Sequence, residues 1–212
     1  MKQYKNVLFD WDGCLAMSVD VWVESARQIL DREGLQVTDQ QIFAVFGKQG
    51  VMTYFPVANP EACQAELIKQ AGLKLRQLRL YKGAKNCLQT LRRQGKTITI
   101  VSDCRREILE AGLAHNGLLK YFDEIITRGD AAHRKPHPAG INLALAALDA
   151  NPENSIMVGD TEKDLLAAKN AGIDSVLFYP SAHTRLYDAA SLQAYSPTYR
   201  VCSHAEVAEL LR

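Results

Sequence analysis

The chain has 212 residues, of which 47% are hydrophobic and 23% are charged, and its formal net charge at pH 7 is +1. This length and composition suit a globular chain with a proper apolar core, and they exclude collagen-like, disordered and disulfide-stapled classes. The near-neutral charge argues against a nucleic-acid partner, and no apolar run approaches the roughly 20 residues that a membrane-spanning helix needs.

Strands and helices alternate along most of the chain. Short apolar or β-branched runs predict strands at 7–9, 97–101, 124–127, 156–158, 175–178 and 199–201. Amphipathic stretches predict helices near 83–94, 104–115, 137–149, 161–171 and 203–211. This alternation predicts an α/β fold with a doubly wound, mostly parallel, Rossmann-like sheet and helices on both faces.

A helix-rich stretch, roughly 16–80, separates the first predicted strand from the second. Helices are predicted there at 19–31, 39–46 and 60–80, with Thr38 as the N-cap of the second; the third could break at Gly72. A parallel crossover needs only one helix. We therefore expect a small helical cap domain at 16–80, inserted into a core domain formed by 1–15 and 81–212.

Polar residues follow several of the predicted strands. Asp10 and Asp12 come after the first strand, Ser102 after the second and Asp160 after the fourth. In open α/β sheets ligands bind at this carboxyl edge. Each residue also has an ordinary explanation, since Asp-x-Asp-Gly occurs in surface turns and Ser102 could cap the following helix. Their shared position favours one common site.

The first motif, Asp10-Trp11-Asp12-Gly13, places two carboxylates where the chain leaves the sheet. One could act as a nucleophile or metal ligand and the other as a general acid and base. Ser102, together with backbone N–H groups at a helix start, could bind an anion. The pattern alone leaves these roles open.

Two later motifs add a cation and two further carboxylates. Lys135 precedes a proline-bearing helix start, which would fix its ammonium group near a phosphate, although a solvated lysine is the commoner case. His137 is predicted to be a surface or capping residue. Asp160 and Asp164 are four residues apart at a helix start, a spacing that suits Mg²⁺ or complements the helix dipole.

These motifs, in this order, resemble the haloacid dehalogenase-like hydrolase superfamily of Mg²⁺-dependent phosphotransferases. The resemblance is to the branch with a helical cap after the first motif, which includes phosphoglycolate phosphatases and β-phosphoglucomutases. It rests on Val7–Gly13, Ile100–Ser102, Lys135–Pro138 and Met157–Thr161 with Asp164. The cap region matches only in length and helical character.

The resemblance implies a role for each residue. Asp10 would be the nucleophile that becomes an aspartyl-phosphate, and Asp12 the acid and base. Asp10, the backbone carbonyl of Asp12 and Asp160 would hold Mg²⁺, and Asp164 would support them. Ser102 and Lys135 would bind the phosphoryl oxygens. An aspartate at position 12 also separates the chain from the dehalogenases and phosphonatases of the superfamily.

The chain departs from the family pattern at two positions. Cys14 stands where the family usually has threonine, a residue that supports the loop, and its thiol could be oxidisable. Trp11 replaces a smaller apolar residue and is expected to pack in the core, with a role facing the cap as the alternative. Cys104 is expected to be a small buried hydrophobe.

The five cysteines are far apart and include no Cys-x-x-Cys motif. Together with the lack of a signal-peptide pattern at the N-terminus, this predicts a reduced, cytoplasmic setting without structural disulfides or a zinc site.

The function predicted is hydrolysis of a small phosphorylated metabolite, with no nucleic-acid or membrane partner. A phosphomutase would use the same site, and a non-catalytic phosphoacceptor module is the alternative from another class. Substrate choice should depend on the cap, where Gly47–Gly50 is a polar, glycine-flanked stretch with Lys48. Lys48 could contact an anionic group of the substrate, although a lysine exposed to solvent is the simpler interpretation.

Overall fold

A six-stranded parallel sheet forms the centre of the computed structural model, which describes residues 2–45, 50–75 and 77–212. In chain order the strands are β1 Asn6–Phe9, β2 Thr97–Val101, β3 Glu124–Ile126, β4 Ser155–Gly159, β5 Asp174–Phe178 and β6 Tyr199–Val201. They lie in the order β3-β2-β1-β4-β5-β6, and every neighbouring pair is parallel. The predicted doubly wound, Rossmann-like α/β fold is confirmed.

The helices agree with the predicted pattern, with differences at their ends. They are α1 Ser18–Arg32, α2 Asp39–Ala44, α3 Pro60–Leu75, α4 Ala84–Arg93, α5 Arg106–His115, α6 Ala139–Ala147, α7 Glu162–Asn170, α8 Ala189–Gln193 and α9 His204–Leu210. The short helix α8 was not predicted. Helix α3 does not break at Gly72, where the sequence allowed a break, because the buried stripe of Leu67, Ala71 and Leu75 continues through it.

Alternate residues of β1 face opposite apolar layers, which explains why its sequence is uninterruptedly hydrophobic. Val7 and Phe9 join a layer that includes buried residues of α4, α5 and α9. Leu8 joins a second layer with Ile141 of α6 and Ala167 of α7. A strand covered on both faces has no polar side, so periodicity of two disappears from its sequence.

The helices α1 to α3 lie between β1 and β2 in the chain, and we call residues 18–75 the helical insertion. Most of its buried apolar residues form one cluster around Val23, Ile29, Ile42 and Leu67, which Leu186 from beyond β5 also joins. Thr38 caps α2 as predicted, in a reciprocal capping box with Gln41. Of the stretch Gly47–Gly50, residues 47–49 lie outside the described residues.

Two expectations from composition can be compared with the described residues. Among their helices, none combines the length and apolar character needed to cross a membrane. All five cysteines are free thiols.

Trp11 packs in the core, as expected. Its side chain is fully buried, and a Cβ added at Gly112 of α5 would lie 2.8 Å from its Cζ2 atom. Helix α5 therefore lies close to the indole ring because position 112 has no side chain.

Replacing Gly112 by alanine should destabilise the protein by about 1–3 kcal/mol, because the fully buried indole has no room to yield. Gly72→Ala is the matched control, since a Cβ at this helical position meets nothing within 4 Å. Greater helix propensity should leave that variant about 0.5–1 kcal/mol more stable. Urea denaturation measures both free energies of unfolding, and equal values for the two variants would contradict the proposed packing.

Candidate active site

Three neighbouring strands deliver the predicted residues to one edge of the sheet. Asp10 follows β1, Ser102 follows β2 and Asp160 follows β4, and these strands are adjacent in the order β2-β1-β4. The Asp10 N–H donates to Val158 O at 2.9 Å, and the Ser102 N–H donates to Ile126 O at 3.0 Å. The ends of the strands are thus tied to their neighbours, and they fix the starting points of the loops that carry the site.

Three carboxylates and one ammonium meet in the interior of this edge. Asp10, Asp160 and Asp164 each offer one oxygen atom within 4.8 Å of the others. The Lys135 ammonium lies 2.8 Å from Asp10 Oδ1 and 2.6 Å from Asp164 Oδ1, and all three of these side chains are buried. One positive charge therefore faces three carboxyl groups.

Asp164 serves both the helix and the site. Its Oδ2 accepts hydrogen bonds from the Thr161 N–H at 3.1 Å and from the Thr161 hydroxyl at 2.8 Å, which completes the capping box of α7. Its Oδ1 remains for Lys135. Asp164 therefore caps the helix, in keeping with the alternative of an acidic residue at a helix start, and it also holds the lysine.

The loop after Asp10 comes very close to Asp160. Gly13 has φ +80°, and a Cβ at this position would lie only 2.3 Å from Asp160 Oδ2. A side chain is thus excluded by space and by backbone conformation. Asp12 is half-buried in the same loop, and its carboxyl group is not part of the three-carboxylate cluster.

Ser102 is buried at the end of β2, but it does not cap α5. That helix begins at Arg106 with Arg105 as its N-cap, so the capping alternative for Ser102 is wrong. The hydroxyl oxygen instead accepts the Cys104 N–H at 3.1 Å. This bond orients the side chain at the carboxyl edge and leaves the hydroxyl proton available.

His137 and the two cysteines near the site have supporting positions. His137 is exposed, and its Nδ1 accepts the Ala139 N–H at 3.2 Å, as expected of a capping residue. The buried Cys14 thiol donates to Val158 O at 3.5 Å, and burial raises its pKa well above the usual range. Cys104 is only half-buried, and burial raises its pKa too. Neither thiol has the electropositive surroundings of a reactive cysteine.

Burial dominates the electrostatics of the cluster. It raises the pKa values of Asp10 and Asp160, and neighbouring carboxylates raise them further while Lys135 lowers them. It also raises the pKa of Asp12. For Lys135, burial alone would lower the pKa, but Asp10 and Asp164 outweigh it and hold the pKa well above its usual value. The arrangement has excess negative charge and favours a further cation.

Asp160 shows most directly where such a cation would fit. Its Oδ1 is buried and has no hydrogen-bond partner among the described residues, whereas its Oδ2 accepts a hydrogen bond from the Tyr187 hydroxyl. A buried, unpartnered carboxylate oxygen is unfavourable. Clustered carboxylate oxygens are the donors that a hard divalent cation such as Mg²⁺ prefers. The residues present therefore fit the magnesium site that the sequence leads us to expect.

Tyr187 is a site residue that the sequence did not reveal. It belongs to the segment after β5, and no motif or spacing relates position 187 to Asp160. Its hydroxyl also lies 2.9 Å from His183 Nδ1, and the other ring nitrogen of His183 is 2.8 Å from the Tyr81 hydroxyl. The relation becomes visible only when the segment folds back over the sheet edge.

The chain is similar to a large group of hydrolases. A family model described as haloacid dehalogenase-like hydrolase matches residues 7–178. Pyrophosphatase PpaX of Bacillus mycoides (strain KBAB4) is 38% identical over 119 residues, which are 56% of this chain and 54% of the relative. PpaX of Bacillus cereus (strain ATCC 10987 / NRS 248) is 33% identical over 131 residues, 62% of this chain and 59% of the relative. The matches thus span little more than half of these curated relatives.

Solved structures match over nearly the whole chain. A HAD family hydrolase from Deinococcus radiodurans R1, with bound phosphate and sodium, has a TM-score of 0.86 at 25% identity and covers 98% of this chain and 94% of its own. A predicted phosphoglycolate phosphatase from Haemophilus somnus 129PT has a TM-score of 0.83 at 21% identity and covers both chains fully. The second likeness concerns the fold alone.

Neutralising Asp160 should stabilise the metal-free protein. Asp160→Asn removes a buried charge whose ionised form burial disfavours, so we expect about 1–2 kcal/mol more stability at pH 7. Magnesium should stabilise the unaltered protein, by about 2.7 kcal/mol at a hundred times its Kd, and the variant far less. Denaturant titrations with and without Mg²⁺ measure both effects.

Asp174→Asn is the matched control, because Asp174 lies at the amino edge of the sheet, where β5 begins. Although burial alone would raise the Asp174 pKa, hydrogen bonds from Lys2 and Tyr4 hold it below its usual value. Neutralisation there should destabilise the protein and leave the magnesium effect unchanged. A metal-free Asp160→Asn variant less stable than the unaltered protein would contradict the electrostatic account.

Proposed function

Because the chain belongs to the haloacid dehalogenase-like hydrolase family, we propose that it hydrolyses a small phosphate monoester through an aspartyl-phosphate on Asp10. The observation that supports this most strongly is the buried contact of 2.8 Å between Asp10 and Lys135 at the carboxyl edge of the sheet. It joins a candidate nucleophile to a cation that can attract a phosphoryl group.

Substrate binding would depend on Ser102 and Lys135. The lysine is held from one side by Asp164 at 2.6 Å, so its ammonium group loses little freedom when a phosphate arrives. The Ser102 hydroxyl can donate to a second phosphoryl oxygen. Phosphoryl transfer depends mainly on such positioning and on neutralisation of charge.

In the first step an Asp10 carboxylate oxygen forms a bond to phosphorus while the ester P–O bond breaks. Asp12 donates a proton to the departing oxygen, and its raised pKa, caused by burial, favours the protonated form that this requires. In the second step water attacks the phosphorus and gives a proton to Asp12. The bond to Asp10 breaks, phosphate leaves, and both residues return to their initial states.

A magnesium ion is expected to be held by Asp10, the backbone carbonyl of Asp12 and Asp160. When bound, it would neutralise negative charge on the phosphoryl oxygens. Asp164 does not need to touch the ion, because it supports the site through Lys135 and through the cap of α7.

We propose further that residues 16–80 form a cap domain on a core of 1–15 and 81–212. Such a cap would exclude water from the reacting atoms and contact the part of the substrate beyond the phosphate. The substrate would be a small phosphorylated metabolite. A cytoplasmic location, expected from the cysteine pattern, stays a prediction.

Inorganic pyrophosphate is a second candidate substrate. The curated relatives are named pyrophosphatases, at 38% and 33% identity over more than half of this chain. The same Asp10 attack would apply, with phosphate as the leaving group. A comparison of pyrophosphate, phosphoglycolate and a sugar phosphate by kcat/KM would rank the candidates.

Asp10→Asn should abolish turnover. We expect Mg²⁺-dependent phosphate release from p-nitrophenyl phosphate to fall by at least about a thousandfold, because the nucleophile is lost. Asp174→Asn should retain activity, because this carboxylate lies at the start of β5, at the edge of the sheet opposite the site. Equal phosphate release by the Asp10→Asn variant and the unaltered protein would exclude Asp10 as the nucleophile. Isomerised sugar phosphate without phosphate release would instead indicate a mutase.

Asp12→Asn should separate the two steps. The p-nitrophenolate leaving group needs no protonation, so the first step should continue while activation of water is lost. Stopped-flow absorbance should show a burst of one equivalent of p-nitrophenol, then turnover slower by about 10²–10⁴-fold. Slow turnover without a burst would mean that Asp12 acts before the covalent step.

A further inference from the structure

The segment Ser181–Tyr187, which follows β5, contacts both the sheet edge and the helical insertion. Its first five residues form a 3₁₀ turn, Ser181–Arg185. Within it, the side chain of His183 is fully buried and that of Leu186 is almost fully buried. The proposed catalytic steps use none of its residues.

On the side of the sheet, the segment forms a chain of hydrogen bonds that ends on Asp160. The Tyr187 hydroxyl donates to Asp160 Oδ2, and the same hydroxyl lies 2.9 Å from His183 Nδ1. His183 Nε2 lies 2.8 Å from the hydroxyl of Tyr81. Tyr81 is buried, and it lies between the helical insertion and α4.

The Tyr187 hydroxyl carries a single proton, which it donates to Asp160 Oδ2. The ring of His183 also forms a hydrogen bond with the backbone of Gly13, in the loop that follows Asp10. Burial lowers the pKa of His183 to about 4, so its ring is neutral at pH 7. The segment is therefore tied by hydrogen bonds both to Asp160 and to the loop beside it.

On the other side, the segment is attached to the helical insertion. The Tyr187 ring packs on Phe43 of α2 with ring centroids 4.6 Å apart. Leu186 belongs to the apolar cluster of the insertion. The Arg185 guanidinium pairs with Asp39 of α2 and Asp20 of α1.

We propose that Tyr187 is a positioning residue for Asp160, and that the helical insertion fixes its place. The hydroxyl holds Oδ2, so that the unpartnered Oδ1 is turned toward the cation site formed with Asp10. This inference rests on the proposed function, because it assumes that Asp160 binds Mg²⁺. It adds that magnesium affinity depends on a residue outside every motif and on the contact between the insertion and the core.

Tyr187→Phe tests the inference, because it removes only the hydroxyl and keeps the ring on Phe43. Calorimetric titration of the protein with Mg²⁺, without substrate, should show a Kd raised by about 10–100-fold, as for other residues that orient metal ligands. Tyr4→Phe is the matched control. It removes a tyrosine–carboxylate hydrogen bond of 2.8 Å, to Asp174 at the far end of β5, and should leave the Kd unchanged.

The possible results separate this inference from the proposed function. An unaltered protein that binds no Mg²⁺ would overturn both. A Tyr187→Phe variant with unchanged or tighter Mg²⁺ binding, alongside Mg²⁺-dependent hydrolysis by the unaltered protein, would overturn the positioning role alone. Tighter binding would mean that the hydroxyl competes with the ion for Asp160. Far-ultraviolet circular dichroism confirms that the compared variants are folded.

A second pair of variants tests the contribution of the insertion. Arg185→Gln removes the ion pairs to α1 and α2 from an exposed position, and should raise the Mg²⁺ Kd by about two- to fivefold. Arg27→Gln is the control, because it breaks the other ion pair of Asp39, 2.6 Å long and internal to the insertion. An Arg185→Gln variant with the Kd of the control would show that the insertion does not position Tyr187.

Discussion

The contact of the Lys135 ammonium with Asp10 and Asp164 is the interaction on which the site depends. It lets carboxyl groups remain together in the interior, where each alone would be strongly disfavoured. One ammonium does not neutralise three carboxylates, however, and Asp160 has no ion-pair partner among the described residues. The fold therefore keeps a local excess of negative charge, which is unfavourable for stability and useful for holding a cation beside a phosphate.

Much of the fold follows from local sequence. The run Val7–Phe9 predicts a fully buried strand because both of its faces are covered, and Thr38 predicts the start of α2 because its hydroxyl satisfies a free N–H group. Helix α3 continues through Gly72, where a break was possible, because the packing of its buried residues outweighs the weak helix propensity of one glycine. Helix α8 was not predicted, because a helix of five residues leaves too short a pattern in the sequence.

The candidate site, like the fold, could be predicted only in part from the sequence. Asp10, Ser102 and Asp160 could be placed together because parallel strands bring their carboxyl ends to one edge. Lys135 could be assigned to the site only through resemblance, since a lysine before a proline is usually solvated. Tyr187 could not be found, because its relation to Asp160 depends on a fold-back of the chain after β5 that no spacing encodes. The reactive residues at strand ends can thus be predicted from the sequence, whereas the loop residues that hold them in place cannot.

The most direct test of the account is to locate the transferred phosphoryl group. The unaltered protein with Mg²⁺ would be mixed with a phosphate ester labelled on phosphorus, quenched in acid within milliseconds and mapped by proteolysis and mass spectrometry. The account predicts that the label is on Asp10. A label on another residue, or none during steady turnover, would contradict the assignment of Asp10 as the nucleophile and with it the proposed reaction.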